Sequence, residues 1–304
     1  MGDVTGLLII SKPAGHTSHD VVARVRRLAG QRRVGHAGTL DPLATGVLVV
    51  LLGQATRLSE YLTRHDKAYR AVVRLGATTD TDDASGRVLA TFEGELPTRA
   101  VIEAALPAFR GAIEQRPPAY SAIKLGGEPM YRRARRGEEA PLASRRVYIS
   151  RLEISAWTPP ELVLEVECSA GTYVRALARD LGGALGCGAH LTGLIRTRSG
   201  PFGLEQAVSL DELEAQREGG GWKKRLLPLE AALPEMTVLQ LTAEESRRLS
   251  LGQTIPGSAL PTRLSRALDE TGALVAIVEY DAEMMVWRPQ KVFAHTSKEY
   301  ATHP

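Results

Sequence analysis

Residues 35–46 read GHAGTLDPLATG, and the apolar run VLVVLL of residues 47–52 follows directly. Three glycines relax the backbone limits of this segment, while Pro42 fixes its own φ angle and disfavours helical geometry at Asp41. The β-branched residues and leucines of the following run predict a buried strand. Because functional side chains are often carried by loops that a rigid element positions, Asp41 is the first candidate for a functional carboxylate.

The composition indicates a globular protein with a sizeable core. The chain has 304 residues, of which 43% are hydrophobic and 24% are charged, and this length predicts one large and one small domain. No apolar stretch reaches the ~18 residues of a membrane span, and the first apolar run is too short for a secretory signal, so we expect a cytoplasmic protein. Two cysteines without a Cys/His ligand cluster argue against a disulfide framework and a zinc site.

Basic residues are concentrated in one segment, although the net charge is only +3. Residues 110–151 hold ten Lys/Arg and four Asp/Glu, so this segment carries +6 and the rest of the chain sums to −3. This excess of basic residues favours an anionic partner that meets one face of the protein. An ordinary solvated surface would show the same excess. Residues 115–146 also contain Pro-Pro and Gly-Gly pairs with weak periodicity, which predicts an excursion from the main fold.

Hydrophobic periodicity predicts strands and helices in alternation. Ser18 is the expected N-cap of a helix that ends before Gly30. Residues 228–234 are interpreted as a linker, and the chain after them changes to short strands with one helix at 243–250. Further strands are expected at 6–10, 69–75, 88–92, 147–157, 161–168, 190–199, 274–280 and 284–287, and further helices at 56–63, 98–109 and 174–185.

These elements predict an α+β fold, with an antiparallel-rich mixed sheet, flanking helices and a small β-rich C-terminal module. The expected domains are 1–235, including the excursion at about 115–146, and 236–292, followed by a tail at 293–304. The chain lacks G-x-G-x-x-G and G-x-x-x-x-G-K-[ST], which argues against a doubly wound nucleotide-binding fold.

Residues 35–42 (GHAGTLDP) resemble the catalytic-aspartate motif of the TruB family of pseudouridine synthases, which modify the T loop of tRNA. Four more segments are similar to that family in order and spacing, and together they make a specific signal where each alone would be weak. One departure is Ser11, where the family often has Asp. The four segments are SKPAG at 11–15, KAYR at 67–70, RPPAYSAIK at 116–124 and GTYVR at 171–175.

The resemblance covers residues 1–235 densely, and the remainder is similar to a small RNA-binding module of the PUA type. It implies the pseudouridine synthase fold and an isomerase that flips uridine 55 out of the tRNA T loop and converts it to pseudouridine. That reaction breaks the N1–C1′ bond and joins C5 to C1′, so it requires no redox cofactor, nucleotide or metal. We therefore expect no cofactor, the T arm of tRNA as the partner, and a monomer.

By this resemblance, Asp41 is the catalytic carboxylate and Arg175 is its partner. Asp41 is the only acid in residues 21–56. A carboxylate can attack C1′, attack C6 or remove the C2′ proton, and the sequence leaves these three roles open. An adjacent guanidinium would favour the ionised carboxylate and orient it.

The resemblance assigns supporting roles to four other residues. Tyr69 would stack on the target base, a contact of roughly 1–3 kcal/mol, and Leu194 would form another wall of the pocket. His36 would fill the space that the flipped base leaves. Lys12 would hold either the catalytic loop or a phosphate.

The excursion combines basic and aromatic residues, which suits the phosphates and loop bases of a folded RNA. The candidate RNA-binding residues are Tyr120, Lys124, Tyr131, Arg132, Arg133, Arg135 and Arg136.

Three other functions compete with this interpretation. A guide-RNA-dependent relative would be expected to carry a long basic tail, which the chain lacks. A non-catalytic RNA-binding or tRNA-folding protein could keep the fold without needing Asp41. An aspartate-based glycosidase would need a second carboxylate about 5–10 Å from the first, and the acids of residues 80–83 leave that alternative open.

Overall fold

The computed structural model describes residues 3–118, 124–125, 128–129 and 143–293. Its strands are β1 Gly6–Lys12, β2 Val34–Ala37, β3 Thr45–Leu52, β4 Lys67–Leu75, β5 Ala77–Thr79, β6 Val88–Thr91, β7 Gly111–Gln115, β8 Lys124–Leu125, β9 Glu128–Pro129, β10 Arg145–Thr158, β11 Glu161–Cys168, β12 Ala189–Ser199, β13 Phe202–Gly203, β14 Val238–Gln240, β15 Ile255–Pro256, β16 Leu264–Leu268, β17 Leu274–Asp281 and β18 Val286–Val292. Its α-helices are α1 Ser18–Ala29, α2 Ser59–Arg64, α3 Arg99–Ala105, α4 Val174–Ala184, α5 Leu210–Ala215 and α6 Ala243–Ser250. Short 3₁₀ helices span Gly53–Leu58, Leu106–Phe109, Leu204–Gln206, Glu218–Arg225 and Leu229–Ala232.

A nine-stranded mixed sheet forms the larger part of the fold. Seven strands follow the order β1-β3-β12-β4-β11-β10-β7, with β2 paired to β3 and β13 paired to β12. Every pairing in this sheet is antiparallel except that of β3 with β12. The predicted α+β class with an antiparallel-rich mixed sheet is confirmed.

Strand β3 is buried on both faces, and this explains its unbroken apolar sequence. Successive side chains of a strand point to opposite faces of the sheet. Leu48 and Val50 therefore pack in the cluster that contains the apolar faces of α1 and α4. Val47 and Val49 pack in a second cluster on the other face. The segment carrying Asp41 thus enters a strand that two separate apolar clusters hold in place.

The second cluster is shared with a five-stranded C-terminal sheet of order β14-β16-β17-β18-β15. Leu274, Ile277 and Phe293 pack in it together with the residues of β1 and β3. The other side of the small sheet packs on α6 through Leu249 and Trp287. The β-rich texture with one helix at 243–250 is confirmed, and this module covers the larger sheet directly.

Residues 228–234 are not the linker that the sequence suggested. Leu229–Ala232 forms a 3₁₀ turn, and the side chains of Ala232 and Leu233 are buried in the shared cluster. Phe293, the first residue of the expected tail, is also buried, and its N–H donates to the carbonyl of Val275 at 2.8 Å. A segment that lies between two packed sheets has to bury apolar side chains, and Ala232 and Leu233 supply them here.

The N-cap of helix α1 lies one residue earlier than predicted. Thr17 is the N-cap, and it exchanges reciprocal hydrogen bonds with Asp20 in a capping box. The predicted cap, Ser18, is buried, and its hydroxyl bonds both the N–H (2.9 Å) and the carbonyl (3.2 Å) of Leu40. Gly30 ends the helix in the left-handed conformation, as predicted. Ser18 therefore fastens α1 to the loop that carries Asp41.

Gly46 should be far less tolerant of a side chain than Gly30, although both have positive φ, +94° and +64°. A Cβ at Gly46 would lie 2.3 Å from the carbonyl oxygen of Arg196, whereas a Cβ at Gly30 meets nothing within 4 Å. Gly30→Ala should cost about 1 kcal/mol from its φ alone. Gly46→Ala adds overpacking and should cost about 3 kcal/mol or more in the free energy of unfolding. Urea denaturation measures both, and equal losses would contradict the proposed close packing.

Candidate active site

The loop between β2 and β3 presents Asp41 to solvent on an otherwise anchored turn. The side chain of Leu40 is buried, and the Asp41 carbonyl accepts a hydrogen bond from the Ala44 N–H at 3.0 Å. Gly38 has φ +91°, a value that side chains with a Cβ rarely adopt. The Asp41 carboxylate itself keeps 37% of its surface exposed. The sequence therefore builds a rigid turn and leaves only its acid accessible.

Arg175, the second residue of α4, pairs with Asp41 through two contacts. Its Nε lies 2.9 Å from Oδ2 of Asp41, and its Nη2 donates to Oδ1 at 3.1 Å. The Arg175 side chain is only 5% exposed. One charge-assisted hydrogen bond, from Nη2, and one close ion-pair contact, from Nε, engage both oxygens of the carboxylate and so restrict its orientation as well as its distance. The structure thus brings together the two residues that the resemblance paired.

A second carboxylate shares the same guanidinium. Asp83 Oδ2 lies 3.6 Å from Nη1 of Arg175, which also donates to the carbonyl of Thr81 at 3.0 Å. The Asp83 carboxylate is buried, and it accepts hydrogen bonds from the Thr81 hydroxyl at 2.7 Å and the Ser85 N–H at 3.0 Å. The sequence left the acids of residues 80–83 open, and the structure places this one behind Arg175.

A cavity of about 250 Å³ opens beside Asp41. Tyr69 and Leu194 line it as predicted, and both side chains are almost fully buried. Burial raises the pKa of the Tyr69 phenol. Among the described residues that line this cavity, Asp41 is the only carboxylate, so a glycosidase with two facing carboxylates finds no support. The lining is Gly38, Thr39, Leu40, Asp41, Thr63, Lys67, Tyr69, Arg145, Ser169, Gly171, Thr172, Tyr173, Val174, Arg175, Leu194 and Arg196.

Lys12 contacts the Asp41 loop through its buried ammonium group. Its ammonium group donates to the carbonyls of His16 at 2.6 Å, Pro13 at 2.9 Å and Pro42 at 3.4 Å. The side chain is fully buried, and burial lowers its pKa to about 8. With no exposed surface to meet a phosphate, Lys12 fits the first of its two expected roles, which is to hold the loop.

The structure does not bring His36 into the cavity with Asp41. His36 lies on β2, half-buried, and its ring meets the ring of His19 edge to face with 5.6 Å between the centroids. Burial, followed by the charge of His19, lowers the pKa of His36 to about 4.

Arg196 is the site residue that sequence reasoning missed. It is 1% exposed, and its guanidinium donates to three backbone carbonyls of the Asp41 loop and its strand. The acceptors are Val47 (2.7 Å), Gly38 (3.1 Å) and Thr39 (3.4 Å).

The hydrophobic pattern of this strand predicts the opposite orientation for Arg196. It assigns the apolar Ile195 to the core and therefore Arg196 to solvent. Ile195 is in fact 38% exposed. A shift of register between Leu191 and Gly193 reverses the two faces of β12 at this point.

The candidate RNA-binding side chains lie outside the described residues, and for Lys124 only the backbone is described. Among residues 3–118 and 143–293, no three His, Cys, Asp or Glu side chains are grouped as metal ligands would be. Within the same part of the chain, no helix is both long enough and apolar enough to span a membrane.

Comparisons with known proteins agree over most of the chain. Residues 26–174 match the N-terminal domain of TruB family pseudouridylate synthases, and residues 175–234 match the C-terminal domain of tRNA pseudouridylate synthase B. The tRNA pseudouridine synthase B of Thiobacillus denitrificans is 46% identical, with 96% of each chain covered. That of Thermobifida fusca is 48% identical, with 83% of this chain and 87% of the relative covered. A chain of a solved Cbf5-Nop10-Gar1 complex has 27% identity and a TM-score of 0.74 over 95% of this chain and 85% of that chain.

The half-buried His36 should make the protein less stable in mild acid. Its pKa is lowered to about 4 in the folded state, while an unfolded histidine titrates near ~6.5. The stability that neutral His36 contributes is therefore complete above pH ~6.5 and is lost as the pH falls towards 4. Wild type should have the higher urea midpoint at pH 7, and the midpoints of wild type and His36→Gln should become similar near pH 4.5. All other titrating groups are common to the two proteins. A pH-independent difference would contradict this assignment.

Proposed function

The chain belongs to the TruB family of pseudouridylate synthases, and we propose that it converts uridine 55 in the T loop of tRNA to pseudouridine with Asp41 as its catalytic carboxylate. The chain is a tRNA pseudouridine synthase and hence an isomerase. The observation that carries the site assignment is the ion pair of Arg175 with Asp41, which joins them through two contacts at the edge of a cavity of about 250 Å³.

The chemistry needs a carboxylate whose orientation survives the approach of the substrate. The N1–C1′ bond of uridine breaks, the uracil turns, and a C5–C1′ bond forms. The C5 proton departs and N1 gains a proton, so the product is an isomer of the substrate and no electrons enter or leave. Asp41 acts by attack on C1′, by attack on C6 or by removal of the C2′ proton. In each case its carboxylate, held by Arg175 from behind, presents its exposed surface to the nucleoside.

The base reaches the carboxylate only after it leaves the stacked T loop. Such eversion costs a few kcal/mol, and stacking of uracil on the Tyr69 ring would recover roughly 1–3 kcal/mol. Leu194 packs against the base from another side of the cavity. His36, which stands outside the cavity on β2, supports eversion by filling space in the RNA rather than by contact with the reacting atoms.

The substrate is tRNA alone, without a guide RNA. The high identity to proteins named tRNA pseudouridine synthase B, against 27% to the Cbf5 chain, favours this choice. The complete set of Asp41, Tyr69 and Arg175 argues against a purely RNA-binding protein. We further propose that the enzyme is a cytoplasmic monomer, with residues 1–235 as the catalytic domain and 236–292 as an RNA-binding domain of the PUA type.

Asp41→Asn should reduce pseudouridine formation by at least about 10²–10⁴-fold, because the amide keeps the shape of the side chain but loses its basicity and charge. The assay is incubation with an unmodified tRNA transcript, followed by chemical mapping of pseudouridine. Product should appear at position 55 and vanish when that nucleotide is cytidine.

Asp211→Asn is the matched control, because the Asp211 side chain is 90% exposed and pairs with Arg24 on the protein surface. It should leave the rate unchanged, and both variants should still bind tRNA. Full activity of Asp41→Asn would overturn the catalytic assignment, and product at another position would overturn the choice of uridine 55.

A further inference from the structure

Arg145 lines the same cavity as Asp41 but differs from the other two arginines there in its partners. Arg175 pairs with Asp41 and Asp83, and Arg196 is buried on three backbone carbonyls. Arg145 is half-buried and has no carboxylate partner in the part of the chain that the structure describes. Its positive charge therefore faces the cavity without a described counter-ion.

The Arg145 guanidinium is nevertheless held in one place. Its central carbon lies 4.4 Å from the centroid of the Tyr173 ring, and its Nη2 donates to the carbonyl of Gly171. Tyr173 is fixed in turn by the fully buried Gln115, which accepts from its N–H at 2.8 Å and donates to its carbonyl at 3.0 Å. Gln115 and Arg145 are directly opposite each other in the pairing of β7 with β10.

Two donor groups of this guanidinium have no hydrogen-bond acceptor among the described residues. The buried Nε of Arg145 has no hydrogen-bond partner, and Nη1 makes no hydrogen bond to a described residue. A buried donor without an acceptor is unfavourable. Nη1 is the donor that an acceptor on an incoming ligand can meet, because Nε is buried and Nη2 is bonded to Gly171.

We propose that Arg145 binds a phosphodiester of the everted uridine, and this inference rests on the function proposed above. A nucleoside inside the cavity carries a phosphodiester on each side of its ribose, so an anion must lie close to the cavity lining. The planar fork of a guanidinium matches two phosphate oxygens, which a point charge such as lysine does not. Arg145 therefore anchors the backbone while Asp41 acts on the nucleoside.

Binding of a T-arm stem-loop RNA at several KCl concentrations tests this contact, with every variant carrying Asp41→Asn so that no turnover occurs. Arg145→Gln should weaken binding about 10-fold and lower the slope of log Kd against log[KCl] by about 1, the amount expected for one phosphate contact. The affinity of Arg145→Lys should lie between that of the protein with Arg145 and that of Arg145→Gln.

Arg151→Gln is the matched control, because Arg151 lies on the same strand and is already paired with Glu153 at 2.7 Å and Glu167 at 3.6 Å. It should leave both the affinity and the salt slope unchanged. An unaltered slope in Arg145→Gln would overturn the proposal.

A neutral methylphosphonate placed on the 5′ or the 3′ side of the target uridine separates a contact from a structural effect. One of the two should weaken binding about 10-fold with Arg145 present and cause no further loss in Arg145→Gln. If each methylphosphonate weakens the binding of Arg145→Gln as much as it weakens binding with Arg145 present, Arg145 acts only through the protein structure. Pseudouridine formation by the wild-type enzyme on the same RNA is a separate readout, so failure of the proposed function is distinguishable from failure of this contact.

Discussion

The burial of the Arg175 guanidinium is the constraint around which the site is organised. A buried cation is tolerated only when opposite charges or hydrogen-bond acceptors surround it. Asp41, Asp83 and the carbonyl of Thr81 supply those partners from two separate loops, while Arg175 comes from α4. Neutralising one side chain therefore brings three distant parts of the chain together. The acid that remains partly exposed after this neutralisation is Asp41, which leaves it accessible to a substrate.

The loop that carries Asp41 is held largely through its backbone, in addition to the buried side chain of Leu40. Arg196 and Lys12 approach it from two sides and donate to its carbonyls, and Ser18 binds both backbone groups of Leu40. Gly46 lets the backbone of Arg196 come close enough for this arrangement. Satisfying the backbone in this way positions the loop and leaves the Asp41 carboxylate available for chemistry.

The two sheets of the protein share one apolar cluster, and this sharing stabilises the site indirectly. Strand β3 leaves the Asp41 loop and is buried between the α1–α4 face and the C-terminal sheet. Its position therefore depends on residues as distant as Ile277 and Phe293. A loop anchored to such a strand has little freedom to move relative to α4, which carries Arg175.

The sequence by itself determined the Asp41 turn and the buried strand after it, because these follow from local sterics and periodicity. For the same reason it determined the C-terminal end of α1 at Gly30 and the β-rich texture after residue 236. Only the tertiary structure decided that Asp83 stands behind Arg175, that Arg196 points inward, and that His36 lies outside the cavity. Distances between side chains far apart in sequence are not encoded in local pattern. A register shift in β12 exchanges the faces of Ile195 and Arg196, and the three carbonyls that make a buried guanidinium acceptable exist only once β3 and β12 have paired.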